Sequence, residues 1–471
     1  MMSRYLLQTA LCLSSLAVPA MAQDAARFLV TTTADDGAGS LRSALAAASN
    51  ANAGARIVVT VEGDIRLSSG LVYTGNAPLE ISGIGNVIQS SENTTLLSVP
   101  NGANLTVTGL SFEGPGGFSA QNRGDVNGPA GKGIFVGVPT DATGDVALTL
   151  TDVRVRDVAG HGVHISDCSL AADCGSGSGS GGDGSAAGLV ITLTDVVIED
   201  VGHGRFDADG LRADERGTGS IAFKATGSTF VRVGADGVEL DEGDAGDVTA
   251  TIENTRFASN GKYCDPATFA PFMPVPDVAE FDDSMKAETD IPGAVTGSPD
   301  DRCIEREVDL YDSGFVEEYA FALDLDDGID LDEAGDGSII TSMSNTVVTG
   351  NLDEGVDWDE EGPGDINVTF IATDANFNVD DGYKMSEADE GNVIGVVEAA
   401  NAAANGGKGF VFEEEDGGDV QVTVTDTTTF DNDDGNETGL EVVQDDAGAG
   451  TLAVIGSNIA DGIDAEGVAM Q

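Results

Sequence analysis

Along much of the chain apolar and polar residues alternate every second position, the period of a half-buried strand. Val420, Val422 and Val424, separated by Gln421 and Thr423, are one such run. The runs themselves recur. ADGVELDEGDAGDVTATIENTRFASN from Ala235, DDGIDLDEAGDGSIITSMSNTVVTGN from Asp326 and DEGVDWDEEGPGDINVTFIATDANFN from Asp353 superimpose without gaps. Anchoring glycines fall at Gly210, Gly237, Gly328, Gly355, Gly382 and Gly409, with 27 residues per uninterrupted step, and weaker copies begin at Gly133, Gly162 and Gly439. Each copy holds a strand after the glycine, an acidic Gly turn, a longer strand and a short third segment ending in Asn or Asp. Three strands per period describe one coil. A coil this small buries no core by itself, so successive coils must stack, each strand pairing with its equivalent one period later. The expected fold is all-β, a single-stranded right-handed parallel β-helix of about 27 residues per coil.

Alternation assigns each position after the glycine to the inside or the outside. The first row reads Val163, Leu211, Val238, Ile329, Val356, Tyr383, Phe410, Leu440, and the third reads Ile165, Ala213, Leu240, Leu331, Trp358, Met385, Phe412, Val442. Both are apolar and should fill the interior, which makes the sole Trp a packing residue and not a sugar platform. The second row is polar: Arg212, Glu239, Asp330, Asp357, Lys384, Val411. The fourth is more acidic: Asp214, Asp241, Asp332, Asp359, Ser386, Glu413.

These rows carry an extreme charge. The 471 residues include 82 Asp and Glu against 21 Lys and Arg, a net −61, which excludes a nucleic-acid partner. A 41% hydrophobic content with 64 Gly excludes a disordered acidic tail. Residues 23–205 hold 19 acids and 9 bases, whereas 206–471 hold 63 and 11. Stacked strands sit ~4.8 Å apart. Two like charges there repel by roughly 3.5 kcal/mol at an effective dielectric of 20, or about 0.9 in water. Either cations occupy the ladder, the carboxyls hold protons, or the protein lives in high salt. An oxygen set without His or Cys suits Ca²⁺, and Glu239, Asp241, Asp330, Asp332, Asp357 and Asp359 are the candidate ligands. The turns Asp326-Asp327-Gly328, Asp380-Asp381-Gly382 and Asp433-Asp434-Gly435 match no twelve-residue Ca²⁺ loop with its closing Glu, and read as β-turns.

The amino-terminal end differs. Arg4, an apolar run from Leu6 to Leu16 and Ala20-Met21-Ala22 read as a signal peptide over residues 1–22, so the protein is expected to be secreted, periplasmic or on the cell surface. No later stretch is long and apolar enough to span a bilayer. Residues 23–60 should hold a strand from Phe28 and a short amphipathic helix within Gly39–Ser49 that covers the open first coil, with the β-helix over 61–471. Cys12 leaves with the signal. The remaining Cys168, Cys174, Cys264 and Cys303 admit three pairings, of which Cys168–Cys174 and Cys264–Cys303 lie within single irregular segments. In Ser40-Leu41-Arg42-Ser43-Ala44-Leu45 the chain resembles the Ser-Leu-Arg-(Glu)-Ala-Ile cap of secreted β-helix proteins of the pectin-lyase-like superfamily. The Cys that often precedes that motif is absent. The resemblance implies the fold. It does not imply one activity, because lyases, hydrolases, adhesins and surface proteins share the scaffold, and no catalytic motif of the superfamily's lyases or polygalacturonases is matched.

Two periods are stretched, near residues 168–188 and 263–318, and they should leave the coil at opposite edges of the first-strand face. Between them that face should present His164, Ser166, Arg212, Asp214, Glu239 and Asp241, with Lys262, Tyr263, Arg302, Arg306, Tyr311 and Tyr319 available from the longer insertion. His164 reads as a surface side chain. The leading expectation is a non-catalytic exported β-helix that binds Ca²⁺ and serves as an adhesion, matrix or carbohydrate-binding module, with a polysaccharide or cell-surface glycan as its partner. The second reading is a Ca²⁺-dependent polysaccharide lyase or glycoside hydrolase in the groove, with Arg212, His164 and Asp214 as catalytic candidates. A lyase needs a cation to neutralise the uronate and a base to take its proton. Hydrolysis needs two carboxyls ~5–5.5 or ~6.5–9.5 Å apart.

Overall fold

The computed structural model describes residues 25–51, 53–125, 129–168, 184–274, 281–295, 297–433, 438–445 and 447–471. The segment read as a signal peptide, Cys174 and Asp434 lie outside them. The first strands of the coils pair side by side into a 12-stranded parallel sheet running from Leu71–Val72 to Ile463–Glu466. The second and third strands form a 23-stranded sheet that wraps the other faces, and together they make the expected right-handed parallel β-helix. Register follows the repeat: Leu211 pairs with Val238, Ile329 with Val356 and Tyr383 with Phe410. Both apolar rows point inward, and Trp358 is 0% exposed with its ring 5.2 Å from Phe370.

The corners show why the coil can turn so tightly. One residue between the second and third strands adopts the left-handed region in successive coils, for example Asp195 (φ 53°), Asn254 (φ 52°) and Asn345 (φ 48°), Asp and Asn being the non-glycine residues that tolerate it best. After the third strand a buried Asn column runs up the axis. The Asn378 Nδ2–H donates to Asn405 Oδ1 at 3.0 Å while its own Oδ1 accepts from Asn351 Nδ2 at 2.9 Å, and Asn405 repeats the pattern with Asn432.

A second buried polar column closes the first-strand sheet. Glu215, Glu242, Glu333, Glu360, Glu387 and Glu414 stack in register, all buried at 0–1% exposure, and Gln444 ends the row. Oε1 of Glu360 accepts the Gly364 N–H at 3.1 Å, and Glu387 and Glu414 accept from Gly391 at 2.7 Å and Gly418 at 2.6 Å. Glu360, Glu387 and Glu414 therefore tie their acidic Gly turns to their strands.

At the amino-terminal end the helix Leu41–Ala48, capped by Ser40, buries Leu41, Ala44, Leu45 and Ala48 against the first strands. The longer insertion is more than a loop. It holds a short helix, Pro266–Phe269, and an antiparallel hairpin, Ile304–Leu310 with Val316–Leu323, so it extends past residue 318. The Cys264–Cys303 disulfide closes its base as expected, beside a small core of Ala120, Tyr263, Phe269 and Ile304 packed with Phe206 and Phe321. Cys168 is also disulfide-bonded.

Candidate functional site

The second and fourth rows stand one above another as alternation requires. His164 pairs in register with Arg212, Arg212 with Glu239, Glu239 with Asp330 and Asp330 with Asp357; Asp214 pairs with Asp241, Asp241 with Asp332 and Asp332 with Asp359. The face they form is not open to solvent as the pattern alone predicts. Asp214 and Asp241 are 0% exposed, Arg212 is 1% and His164 is 4%, so His164 is a buried residue and not a surface one.

Burial of so many charges demands local pairing, and Arg212 supplies it. Its Nε donates to Asp214 Oδ1 at 2.6 Å and Nη2 to Asp241 Oδ2 at 3.2 Å, while Nη1 reaches Glu239, Asp207 (3.3 Å) and Asp209 (3.5 Å). Arg216 adds a second cation on Asp241. Burial works against both charges of the Arg212–Asp214 pair. The carboxylates around Arg212 nevertheless hold its guanidinium charged, and Arg212 with His164 holds Asp214 well below the usual carboxylate range.

His164 Nε2 lies 2.6 Å from Asp214 Oδ2, and its Nδ1 meets the Lys132 ammonium. Its ring is 4.8 Å from that of His161, which accepts the Asp209 N–H at 3.0 Å. Burial pushes His164 down to about 4 and Lys132 down to about 7, the Lys132 charge also opposing the His164 proton. Lys132 escapes a reading of the repeat because it precedes a weak copy, just before Gly133.

Beside this cluster a cavity of about 440 Å³ opens between the hairpin base and the first-strand face. Glu305 and Asp324 close it on the insertion side, with Asp207, Asp236, Glu239, Asp326, Asp327, Asp330 and Asp332 opposite and Phe206 and Leu325 at the edge. Two carboxylate triplets share Glu239: Asp207–Asp209–Glu239 and Glu239–Asp330–Asp332, each with one oxygen per residue within 4.8 Å of the others. Asp330 and Asp332 receive no hydrogen bond or ion pair from any described residue. Burial and the neighbouring acids raise both well above the usual range. The other three candidate ligands are placed differently. Asp241 is paired with Arg212 and Arg216, Asp357 with Lys384 Nζ at 2.9 Å, and Asp359 has a buried Oδ1 without a donor.

The side chains expected from the insertion face one another or its base. Tyr263 donates to Asp300 at 2.7 Å, Arg302 pairs with Asp300 and lies over Phe206, Arg306 pairs with Glu288, Tyr311 donates to the Phe281 carbonyl, and Tyr319 stacks on Phe281. Asp207, Asp236, Glu305 and Asp324 were not expected in the site. Asp209, Asp236 and Asp327 each precede an anchoring glycine, so the repeat carried a signal for them; Glu305 and Asp324 arrive only through the fold of the insertion.

No family model matches the chain, and no curated protein matches it. Among solved structures it is similar to the mannuronan C-5 epimerase AlgE4 A-module of Azotobacter vinelandii, at 12% identity over 94% of this chain and 95% of that one, with a TM-score of 0.41. It is similar to pectate lyase Pel9A at 14% identity over 87% and 80%, TM-score 0.36. The Dettilon tailspike protein shares 9% identity over 93% and 68%, TM-score 0.38. No helix of the described residues is long and apolar enough to cross a membrane.

Proposed function

We propose that this is an exported β-helix module that binds Ca²⁺ in the acidic cavity and, through the ion, an acidic polysaccharide or cell-surface glycan. The observation that carries the reading is the Glu239–Asp330–Asp332 triplet, whose two aspartates receive no hydrogen bond or ion pair among the described residues. A hard divalent cation satisfies six to eight oxygens in loose geometry, so three carboxylates leave positions for water and for a ligand's carboxylate or hydroxyls. Without the ion the cavity is a trap for positive charge and repels a polyanion. With it, a uronate has a counter-charge. Export is supported by the reading of residues 1–22 and by a disulfide that persists in oxidising compartments.

Asp330→Asn with Asp332→Asn should abolish Ca²⁺ binding in the cavity and, with it, retention on any acidic glycan that the unmodified protein binds in a panel. Retention of full glycan binding by the double variant in chelator sinks the proposal.

A second reading, a lyase or hydrolase, is favoured by the placement of the Lys132 amine against His164 Nδ1, where burial pushes it down to about 7 and so lets it take a proton near neutral pH. In that reading His164 and Asp214 orient it and Arg212 fixes the carboxylates. The Arg212 ion pairs leave the guanidinium no role as a base. Unsaturated or reducing sugar ends formed from a polyuronate, and lost on Lys132→Met with glycan binding intact, would establish this reading over the first.

A further inference from the structure

The residue before each anchoring glycine forms its own column: Asp209, Asp236, Asp327, Glu354, Asp381 and Lys408. Its aspartates are mostly spent on backbone. Asp209 Oδ1 accepts the Asp236 N–H at 3.2 Å, Asp236 Oδ1 accepts the Asp327 N–H, and Asp381 Oδ1 accepts the Lys408 N–H. At Asp327 the pattern breaks. The side chain is buried, with the residue 8% exposed, yet its Oδ1 receives no hydrogen bond.

Asp327 has company of one sign. One oxygen each of Asp327, Asp353 and Glu354 lie within 4.8 Å of one another, and Asp236 and Asp357 stand close by. The cation nearest this group is Lys384, whose Nζ is 3.8 Å from Glu354 Oε1 but closer, at 2.9 Å, to Asp357. Lys384 thus neutralises Asp357 first. Asp327 lines the cavity already described, while Glu354 lines a second one of about 400 Å³ with Asp380, Asp381, Lys384 and Lys408. The group thus borders both cavities.

We propose that Asp327, Asp353 and Glu354 form a second divalent-cation site, taking Ca²⁺, separate from the Glu239–Asp330–Asp332 triplet. Of its ligands, Asp327 lies in the turn Asp326-Asp327-Gly328 that the sequence alone assigns to chain reversal. Coming from two successive coils, Asp327 from one and Asp353 and Glu354 from the next, they would make the ion a clamp between coils. The site does not require the cavity site to be correct, because none of its three residues belongs to that triplet.

Equilibrium dialysis of the full chain against Ca²⁺ tests it. The double variant Asp353→Asn, Glu354→Gln should bind one Ca²⁺ fewer per chain than the unmodified protein, and Asp330→Asn, Asp332→Asn should independently lower the count at the cavity. An unchanged count in the first variant overturns the second site. A count lowered by the cavity variant alone overturns it too and leaves the cavity proposal standing; a count lowered by neither overturns both. Because the first variant could fail to fold, crystals of the unmodified protein soaked in La³⁺ give a decision without mutation. An anomalous peak among Asp327, Asp353 and Glu354 is expected, and its absence from an otherwise derivatised crystal contradicts the proposal.

Discussion

Arg212 shows how much one residue carries here. It is 1% exposed and touches five carboxylates, so its removal leaves several buried negative charges close together. Breaking a buried ion pair from one side is destabilising by about 3–5 kcal/mol. Arg212→Ala should lose at least that in urea unfolding. Arg212→Lys should recover only part of it, because a point charge cannot serve both Asp214 and Glu239 as the planar fork does. Residue identities along the repeat were legible from spacing alone: which side chains line the interior, and which acids stack, follows from a period of two inside a period of 27. Their solvation was not legible. Alternation says that His164 and Asp214 point away from the core, but whether water meets them depends on what covers that side, and this is decided by long-range packing that no spacing encodes. Lys132 was missed for a different reason: it stands just before Gly133, where the repeat is weak.

At the scale of the element, the columns convert sequence repetition into stability. Asn378→Ala removes the hydrogen bonds to Asn351 and Asn405 and leaves their groups unpaired inside the coil, for a loss of about 1–3 kcal/mol by chemical denaturation. The Glu column behaves differently. Neighbouring carboxyls meet along the stack, and buried oxygens of Glu215, Glu242, Glu333, Glu360 and Glu387 have no donor unless a carboxyl keeps its proton. Burial, then the adjacent glutamates, push Glu242 and Glu360 up to about 10; burial together with acidic neighbours pushes Glu215 and Glu387 up to about 7. The folded chain thus binds these protons more tightly than the unfolded chain does. The resulting stability is full below about pH 4.5, where an unfolded glutamate is protonated, and is lost as pH rises through about 7 and on towards 10. Melts in chelator should therefore fall with rising pH across that window. Glu360→Gln should flatten the fall and gain about 1–3 kcal/mol at pH ~9, since an amide donates without titrating, as Gln444 already does to Glu414. A melting temperature that rises with pH over the same range would contradict this. The fifth letter after each anchoring glycine repeats as Glu in the text, so the column was there to be read; its burial, at the turn out of the strand, was not.

For the whole molecule the coil and its three faces were legible, because a solenoid is a nearest-neighbour structure whose local repeat dictates its global shape. The insertion was legible only as an interruption. Its hairpin forms because Cys264, Phe269 and Ile304 gather with Phe206 into a second small core, and the cavity exists because that core sets Glu305 and Asp324 opposite the ladder. Nine acids of residues 206–471 thereby line one cavity, and the cations beside the ladder are committed to Asp214, Asp241 and Asp357. We propose that the acids lining the cavity take up an external cation, and that is the central claim. Thermal unfolding of the full chain in high NaCl, with Ca²⁺ and then with chelator, tests it most directly. The account predicts a higher, saturable melting temperature with Ca²⁺, worth about 2.7 kcal/mol for one site at a hundredfold excess over its dissociation constant; identical melts in Ca²⁺ and chelator would contradict it and leave the acidic face as adaptation to salt.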